Sequence, residues 1–301
     1  MKVGFIGLGV MGEPMCRNLA RKLGDSIIAY DRLGEPLSRL AAVGVTAAAS
    51  VADVAKSAEV IFLSLPSGQH VSEICRCKEG LLDQVRPGTM IVDLGTTSVS
   101  LTRELGTDFD HRKAHFVDAP IARTRQAAEE GTLSIMVGAR DENFARLRPL
   151  LAYMASDITR CGPVGSGQIA KIMNNMVLVQ TVVALSEALA TARRAGMDGT
   201  VLFDVLSKGS ADSFALRNHG MKALLSGQFP TRAFSVEYAL KDLSYARELA
   251  NENDIRLPAA ELAASLLEKA IAAGDGALYW PVLARVIDVS ASAAPKAGDH
   301  L

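Results

Sequence analysis

Aromatic residues and net charge are both scarce in this chain of 301 residues. Phe, Trp and Tyr make up 5% of it, whereas 49% of the residues are apolar and Ala and small aliphatic side chains are abundant. This composition favours helices packed at close range over an all-β sandwich. Thirty-two Lys and Arg against 33 Asp and Glu leave a net charge of −1. We therefore expect no nucleic-acid partner, which a positive field would attract, and no intrinsic disorder.

Motifs for metal binding and for serine hydrolysis are lacking. Four cysteines include a C-x-C pair at 75 and 77, which is not a zinc or thioredoxin spacing. Five histidines lack an H-E-x-x-H spacing or a G-x-S-x-G partner. We expect reduced thiols in a cytoplasmic protein and no metal site.

Long apolar runs are also lacking. No window reaches roughly 18 uninterrupted apolar residues, the length that a membrane-spanning helix needs. The nearest, Met176–Ala190, is broken by Gln180, Ser186 and Glu187. Glycines interrupt the first apolar run, so we predict a buried strand there rather than a signal peptide. No membrane partner is expected.

Short apolar runs alternate with helical patterns in the first half of the chain, which predicts an α/β fold with a doubly wound parallel sheet. The predicted strands are Lys2–Ile6, Ser26–Tyr30, Glu59–Leu65, Thr89–Leu94, His115–Asp118, Leu133–Val137 and Asp157–Cys161. A glycine-rich stretch at 162–167 then marks a boundary. A helix of about 40 Å from Gln168 to about Ala195 follows, and all later segments are helical (199–207, 212–226, 235–251, 258–273 and 280–289). We predict a cofactor domain at 1–164, an all-helical domain at 165–290 and a tail at 291–301.

The first predicted strand runs into a G-x-G-x-x-G motif formed by Gly7, Gly9 and Gly12. This motif is weak alone, but here it follows a strand, opens a helix and precedes an acidic residue, Asp31, by 19 positions. Gly7 would make the tight turn, Gly9 would let the backbone approach a pyrophosphate, and Gly12 would let the helix pack on the sheet. The helix N-terminus would bind the phosphates.

Asp31 and Arg32 bear on the choice between NAD and NADP. A carboxylate at Asp31 would accept the ribose hydroxyls of NAD and repel a 2′-phosphate, whereas Arg32 could hold that phosphate. We favour NAD, with NADP as the alternative.

Several motifs together resemble the 3-hydroxyisobutyrate dehydrogenase (β-hydroxyacid dehydrogenase) family, whose fold is related to 6-phosphogluconate dehydrogenase. The first is the N-terminal segment 5–19, in which Cys16 stands where Ser or Ala is usual. The others, in chain order, are Asp93-Leu94-Gly95-Thr96-Thr97, Asp118-Ala119-Pro120-Ile121 with Gly131–Gly138, Gly165–Asn175, and Lys241-Asp242. The resemblance extends from Met1 to about Val289.

The resemblance implies an NAD(P)-dependent dehydrogenase with an N-terminal Rossmann domain and an all-α second domain. Lys171 would be the catalytic acid or base, or a fixed charge beside the substrate oxygen; the pattern does not choose between these roles. The implied substrate-binding residues are Asn175, Phe234 and Asp242, together with Arg123 and Thr124. The implied cofactor-binding residues are Gly7, Leu8, Gly9, Val10, Met11, Gly12, Asp31, Arg32, Leu65, Pro66, Thr96 and Lys241, with Ser67 beside them.

One segment departs from the family pattern. Most members have S-G-G where this chain has Ala122-Arg123-Thr124. The guanidinium of Arg123 is suited to a carboxylate, sulfonate or phosphate, and a similar change occurs in members that resemble sulfolactaldehyde reductase. The alternative is that Arg123 faces solvent or pairs with Glu129 or Glu130.

We therefore expect a dehydrogenase or semialdehyde reductase acting on a short 3-hydroxy or 4-hydroxy acid with an anionic group. A sulfolactaldehyde-type reductase is the more specific alternative. An imine reductase usually lacks the lysine found here at 171, and a sugar-phosphate decarboxylating dehydrogenase needs a longer helical half. A non-catalytic NAD-binding member would not need Lys171, Asn175 and Thr96 together. A homodimer or homotetramer is implied by the family and by Ala-rich helical surface.

Overall fold

The computed structural model describes residues 1–231 and 233–288. The chain divides into two compact units, residues 1–171 and the residues from 172 onward, and each is described by itself. The division lies inside a long helix rather than at residue 165, because Gln168 in the first turn of that helix is hydrogen bonded to the first unit. The predicted tail and residues 289–290 lie outside the described residues.

The first unit is built on a sheet of nine strands within the described residues, in the order β3-β2-β1-β4-β5-β6-β8-β7, with β9 paired to β8. The strands are β1 Val3–Ile6, β2 Ile27–Tyr30, β3 Thr46–Ala47, β4 Val60–Leu63, β5 Met90–Asp93, β6 His115–Asp118, β7 Ile121–Ala122, β8 Leu133–Gly138 and β9 Ala155–Gly162. The predicted α/β fold class is confirmed.

Parallel pairing extends from β3 to β6, as predicted, but β8 runs antiparallel to both β6 and β7. β6 and β7, which are separated by only two residues, both pair with β8, which lies between them in the sheet. The sheet is therefore mixed at this side, and its last pair, β8 with β9, is parallel again.

Alternate residues of the central strands enter two separate hydrophobic clusters, one on each face of the sheet. On β4, Val60 and Phe62 belong to one cluster, and Ile61 and Leu63 to the other. Burying one such side chain contributes about 1.5–3 kcal/mol. The near-continuous apolar runs of the sequence are therefore strands covered on both faces.

Helices of the first unit cover the sheet: α1 Gly12–Leu23, α2 Gly34–Ala41, α3 Val51–Ser57, α4 Gly68–Arg76, α5 Leu81–Gln84, α6 Val99–His111, α7 Arg125–Glu130 and α8 Asp141–Leu151, with a 3₁₀ turn at Gly24–Ser26. Ser98 caps α6 and Thr124 caps α7, since each side chain accepts a hydrogen bond from a backbone N–H of the first turn.

The described part of the second unit is helical, as predicted. The long helix α9, Ser166–Arg194, leads into α10 Gly199–Lys208, a π-helical segment Leu216–Leu224, α11 Val236–Asn251, α12 Pro258–Ala272, a 3₁₀ turn Trp280–Leu283 and α13 Ala284–Ile287. The segment predicted as an ordinary helix over 212–226 is thus a shorter π-helix. Trp280 is fully buried.

Helix α9 has 29 residues and meets the length and composition criteria for a membrane span, although 39% of its most apolar window is buried inside the protein. Core helices of soluble proteins pass the same test. The expectation that this chain has no membrane partner, which rested on the lack of an uninterrupted apolar run of about 18 residues, stays a prediction.

Candidate active site

Five parallel strands end in register at one edge of the sheet. Ile6 of β1 is paired with Tyr30 and with Leu63, Leu63 with Asp93, and Asp93 with Asp118. The segments that follow these five residues therefore leave the sheet side by side. Ligands of doubly wound sheets bind at this carboxyl edge.

The turn after β1 leaves no room for side chains at two of its glycines. Gly7 has a φ of +91°, and a Cβ there would lie 2.3 Å from the Ser64 carbonyl oxygen. A Cβ on Gly12 would lie 2.1 Å from the carbonyl oxygen of Gly7. Both glycines are thus required by the packing of the chain on itself.

Gly9 differs, because a Cβ there would meet no described atom within 4 Å. The residue is exposed, and α1 begins at Gly12 without a side-chain cap from the described residues. The first backbone N–H groups of a helix lack intrahelical acceptors and bind phosphates. The open space beside Gly9 fits the approach of a pyrophosphate, and binding there stays a prediction. In the first turn of α1 the Glu13 N–H is bonded to the Gly9 carbonyl oxygen and Pro14 has no N–H, so Gly12 is the residue of this turn whose N–H would meet a phosphate. Leu8 is buried, Val10 is exposed, and Met11 is half-buried against the hydrophobic core.

Asp31 follows β2 and faces this turn. One carboxylate oxygen accepts a hydrogen bond from the Leu8 N–H at 2.5 Å, and the other accepts one from the Leu33 N–H at 2.8 Å. The carboxylate is therefore fixed beside the glycine turn, where a ribose hydroxyl donor would find an acceptor. Arg32 is exposed.

The turns after β4 and β5 form the next part of the edge. Leu65 is half-buried and Pro66 is exposed, while the Ser67 hydroxyl lies 2.8 Å from His70 Nδ1. Thr96 is half-buried between Gly95 and Thr97. Contact of these residues with the cofactor stays a prediction.

A buried hydrogen-bond network fixes the residues on both sides of Thr96. Asp93 accepts hydrogen bonds from the Gly95 N–H at 2.9 Å and from the Thr97 hydroxyl at 2.7 Å. The side-chain amide of Gln168 donates to the Gly95 carbonyl at 2.9 Å and accepts from the Thr97 N–H at 3.1 Å. Gln168 is fully buried.

Asp118, at the end of β6, holds the start of α9. Its two carboxylate oxygens accept hydrogen bonds from the backbone N–H groups of Gly165 at 2.7 Å and Gln168 at 2.8 Å. Burial raises the pKa of Asp118 to about 6, although these N–H donors act in the opposite direction and the nearby charge of Asp93 adds to the rise.

Lys171, the predicted catalytic residue, is half-buried and lies three residues after Gln168 on α9. Side chains three apart on a helix share a face. Lys171 is therefore on the side of the helix that carries Gln168, whose amide bonds both neighbours of Thr96.

In the second unit, Asn175 and Asp242 are brought together. Asn175 is buried, its Nδ2 donates to Asp242 Oδ2 at 2.6 Å, and its Oδ1 accepts from Asn174 at 3.1 Å. The Lys241 ammonium lies 3.0 Å from Asp242 Oδ1. Asp242 therefore orients Asn175, whereas the resemblance implied a direct contact of Asp242 with substrate.

Lys241 also faces aromatic rings, 5.5 Å from the centroid of Tyr238 and 5.4 Å from that of Tyr245. Phe234 is half-buried and stacks against Tyr238 with ring centroids 6.4 Å apart. The second unit thus holds Phe234, Lys241, Asp242 and Asn175 in one connected group through Tyr238.

Arg123 is not placed as an anion-binding residue. Its guanidinium donates to Asp157 at 2.6 Å, to Ser156 at 2.8 Å and to the Thr132 carbonyl at 2.6 Å. A contact of this guanidinium with substrate stays a prediction, and its ion pair is with Asp157 rather than with Glu129 or Glu130. The reason is that β9 lies beside β8 and carries Asp157 to the guanidinium.

The backbone at Arg123 has a φ of +86°, a conformation that favours glycine, which the family pattern has here. Thr124 uses its hydroxyl to cap α7, and its contact with substrate stays a prediction.

The residues that sequence reasoning missed are Asp93, Asp118 and Gln168. They lay inside the quoted motifs, but their partners are distant in sequence.

Among the described residues, no group of three or more His, Cys, Asp and Glu side chains is arranged to hold a metal ion.

Residues 2–162 match the family described as the NAD binding domain of 6-phosphogluconate dehydrogenase, and residues 165–281 match the one described as NAD-binding of NADP-dependent 3-hydroxyisobutyrate dehydrogenase. The chain belongs to the 3-hydroxyisobutyrate dehydrogenase family. It is thus an NAD(P)-dependent oxidoreductase of the class that acts on CH–OH groups.

Relatives of this dehydrogenase match over nearly the whole chain. The 2-(hydroxymethyl)glutarate dehydrogenase of Eubacterium barkeri is 33% identical over 92% of this chain and 91% of its own. The NAD-dependent L-serine dehydrogenase of Pseudomonas aeruginosa is 30% identical over 95% and 98%. The solved structure of Mycobacterium tuberculosis 3-hydroxyisobutyrate dehydrogenase with L-serine is 30% identical over 95% and 98%, with a TM-score of 0.86.

Proposed function

We propose that this dehydrogenase interconverts a short 3-hydroxy acid and its semialdehyde, with NAD preferred over NADP and Lys171 as the catalytic residue. The substrates named for the three relatives, 2-(hydroxymethyl)glutarate, L-serine and 3-hydroxyisobutyrate, share a primary alcohol one carbon away from the carbon that bears a carboxylate. They differ in the remaining substituent on that middle carbon. This shared fragment is the substrate class that we assign to the chain.

The observation that carries the proposal is the position of Lys171 relative to Thr96. Lys171 follows Gln168 by one helical turn, and Gln168 bonds Gly95 and Thr97 on either side of Thr96 at the carboxyl edge. A half-buried lysine on the face of the helix that contacts the cofactor edge is suited to act on a substrate oxygen.

When bound, NAD(P) supplies the acceptor for the hydride that leaves the alcohol carbon. Gly9 and the Gly12 N–H at the start of α1 would hold its pyrophosphate, and Asp31 its ribose. Lys171 would hydrogen bond the alcohol oxygen and, when neutral, take its proton as the carbonyl forms; in reduction it would return that proton. A charged Lys171 would instead stabilise the developing oxyanion.

The Asp31 carboxylate supports the preference for NAD. It is fixed at the turn by the N–H groups of Leu8 and Leu33, so a 2′-phosphate would be placed beside a negative charge. Arg32 is exposed and would have to supply the compensating charge for NADP.

The substitution Lys171→Ala tests the catalytic role. Loss of a general acid or base costs typically 10²–10⁴-fold in kcat, and we expect a decrease of that size with an unchanged Kd for NADH by calorimetry. Lys269→Ala, which removes an exposed lysine, is the matched control and should retain full turnover. Near-normal turnover of Lys171→Ala would reject the proposal.

The substrate class is tested by oxidation of 3-hydroxyisobutyrate, L-serine and 2-(hydroxymethyl)glutarate and by reduction of succinic, tartronate and methylmalonate semialdehydes and sulfolactaldehyde. We expect the highest kcat/KM with a 3-hydroxy acid pair. A preference for succinic semialdehyde would indicate a 4-hydroxy acid enzyme, and one for sulfolactaldehyde would support the alternative specificity.

A substrate-binding role for Arg123 requires its guanidinium to leave Asp157 and Ser156. That role stays a prediction, which Arg123→Lys tests: a rise in KM for the acid at constant kcat would support it, and an unchanged KM would reject it. The dimeric or tetrameric state and the cytoplasmic location also stay predictions.

A further inference from the structure

Gln168 is linked to the active-site edge by three hydrogen bonds. Its amide Nε2 donates to the Gly95 carbonyl and its Oε1 accepts from the Thr97 N–H, while its own backbone N–H donates to Asp118 Oδ2. The helix that contains Gln168 continues to Lys171. One buried residue therefore joins the loop after β5, the end of β6 and the first turns of α9.

The two amide contacts form a bidentate clamp on a short loop. Gly95 and Thr97 flank Thr96, so both peptide neighbours of Thr96 are held by the same planar amide at 2.9 and 3.1 Å. Asp93 bonds the same two residues from the opposite direction. The loop is thus fixed in position relative to both β5 and α9.

Gln168 and Lys171 lie on the same helix, so the position of Gln168 also determines that of Lys171. A rise of 1.5 Å per residue places the Lys171 Cα about 4.5 Å further along the helix axis than that of Gln168. Asp118 also accepts a hydrogen bond from the Gly165 N–H at the start of the helix. The first turn of α9 is therefore held against both sliding and rotation relative to β6. A shift at Gln168 would therefore move Lys171 relative to Thr96.

We propose that Gln168 is a positioning residue that sets the location of the Lys171 ammonium relative to the Thr96 loop, with Asp118 holding the backbone of Gln168 in place. This inference rests on the proposed catalytic role of Lys171. The Gln168 side chain is fully buried, and its amide is bonded to Gly95 and Thr97. Its contribution to turnover passes through Lys171, and displacement of a catalytic group by about 1 Å can cost on the order of 10²-fold in rate.

A double-mutant cycle separates positioning from mere structural support. Gln168→Met keeps the length of the side chain and removes both amide contacts, whereas Gln168→Asn keeps the amide but shortens its reach by one methylene. We expect either variant to lower kcat about 10–100-fold when Lys171 is present, and less than twofold in the Lys171→Ala background. Single-turnover measurements, with enzyme in excess over NADH, extend the range of measurable rates to the slow turnover expected in the Lys171→Ala background.

A second readout needs no activity. The Thr97 amide hydrogen is bonded to Gln168 Oε1, so its exchange with deuterium in the cofactor-free protein should be at least tenfold faster in either variant. The Kd for NADH should change less than threefold. Phe109→Leu, which alters a buried ring stacked on Phe116 at 5.7 Å, controls for general loss of stability and should leave kcat and Thr97 exchange unchanged.

The outcomes distinguish this inference from the proposed function. Near-normal turnover of Lys171→Ala would reject the catalytic role itself. A large loss in Lys171→Ala, combined with an equal loss from Gln168→Met in both backgrounds, would keep Lys171 and overturn the positioning role. Unchanged Thr97 exchange in both Gln168 variants would overturn it as well. If Gln168→Met does not fold, Gln168→Asn decides.

Discussion

Replacing Asp118 by Asn should change how the stability of this dehydrogenase depends on pH. The Asp118 carboxyl is fully buried at the end of β6 and accepts two backbone N–H groups from the start of α9. Burial favours the neutral acid, whereas the N–H donors favour the carboxylate. Burial is the larger effect, so the pKa rises from its usual value near 3.8 to about 6.

The size of the effect follows from proton linkage. The folded state holds the Asp118 proton more tightly than the unfolded state, so this group stabilises the fold fully below pH 3.8 and loses that contribution as the pH rises through 6. Each pKa unit corresponds to about 1.4 kcal/mol, and the whole shift to about 3 kcal/mol. About 2 kcal/mol of this lies between pH 4 and pH 7.

Urea unfolding followed by circular dichroism at several pH values measures this dependence. The free energy of unfolding of the wild type minus that of Asp118→Asn should fall by about 2 kcal/mol from pH 4 to pH 7. Asp141→Asn, at a side chain with 87% of its surface exposed, controls for the change in charge. A difference that is constant, or that grows with pH, would show that the N–H groups of Gly165 and Gln168 outweigh burial and would refute the reasoning.

Three further substitutions test the cofactor edge and the departure from the family pattern. Asp31→Asn should raise the kcat/KM ratio of NADP to NAD at least tenfold, since it removes the charge that repels a 2′-phosphate; an unchanged ratio would assign the preference elsewhere. Gly9→Ala should weaken NADH binding without lowering the melting temperature, whereas Gly12→Ala, whose Cβ would lie 2.1 Å from the Gly7 carbonyl oxygen, should lower both; equal melting temperatures would contradict the packing argument. Arg123→Gly should be more stable to urea than Arg123→Ala by about 1 kcal/mol, because only glycine adopts a φ of +86° without cost.

The strands that were predicted from sequence are those with a pattern to detect. Central strands buried on both faces produce runs such as Val60–Leu63, and these runs locate β1, β2, β4, β5 and β6 to within two residues. β3 and β7 have two residues each, too short to show any periodicity. The antiparallel direction of β8 could not be predicted either, because the pattern of apolar residues in a strand does not indicate how that strand is oriented relative to its neighbours.

Residue type alone could not identify the partner of Arg123. An arginine that replaces glycine near a substrate loop indicates an anion-binding group, but the partner that occupies its guanidinium, Asp157, lies 34 residues away on another strand. Only the pairing of β8 with β9 brings the two together. The side chains of Arg123 and Asp157 are 38% and 56% exposed, and a salt bridge between such side chains contributes little to the stability of the fold. We therefore attribute the arginine to attachment of the loop after β7 to β9.

The cofactor turn and the position of Lys171 depend on different kinds of interaction, and this decides what sequence can predict. Gly12 is required by a backbone atom of its own motif, and Gly7 is favoured by its own positive φ as well as by the distant Ser64, so the spacing of the glycines identifies the turn. Gln168 acts on residues 71 and 73 positions away, and Asp118 on residues 47 and 50 positions away. A substitution at Gln168 would leave the glycine motif and Lys171 unchanged in the sequence, but by the proposed positioning role it would displace the Lys171 side chain. By the roles proposed for Lys171 and Gln168, the presence of the glycine motif and the lysine in a sequence does not by itself establish a correctly arranged site.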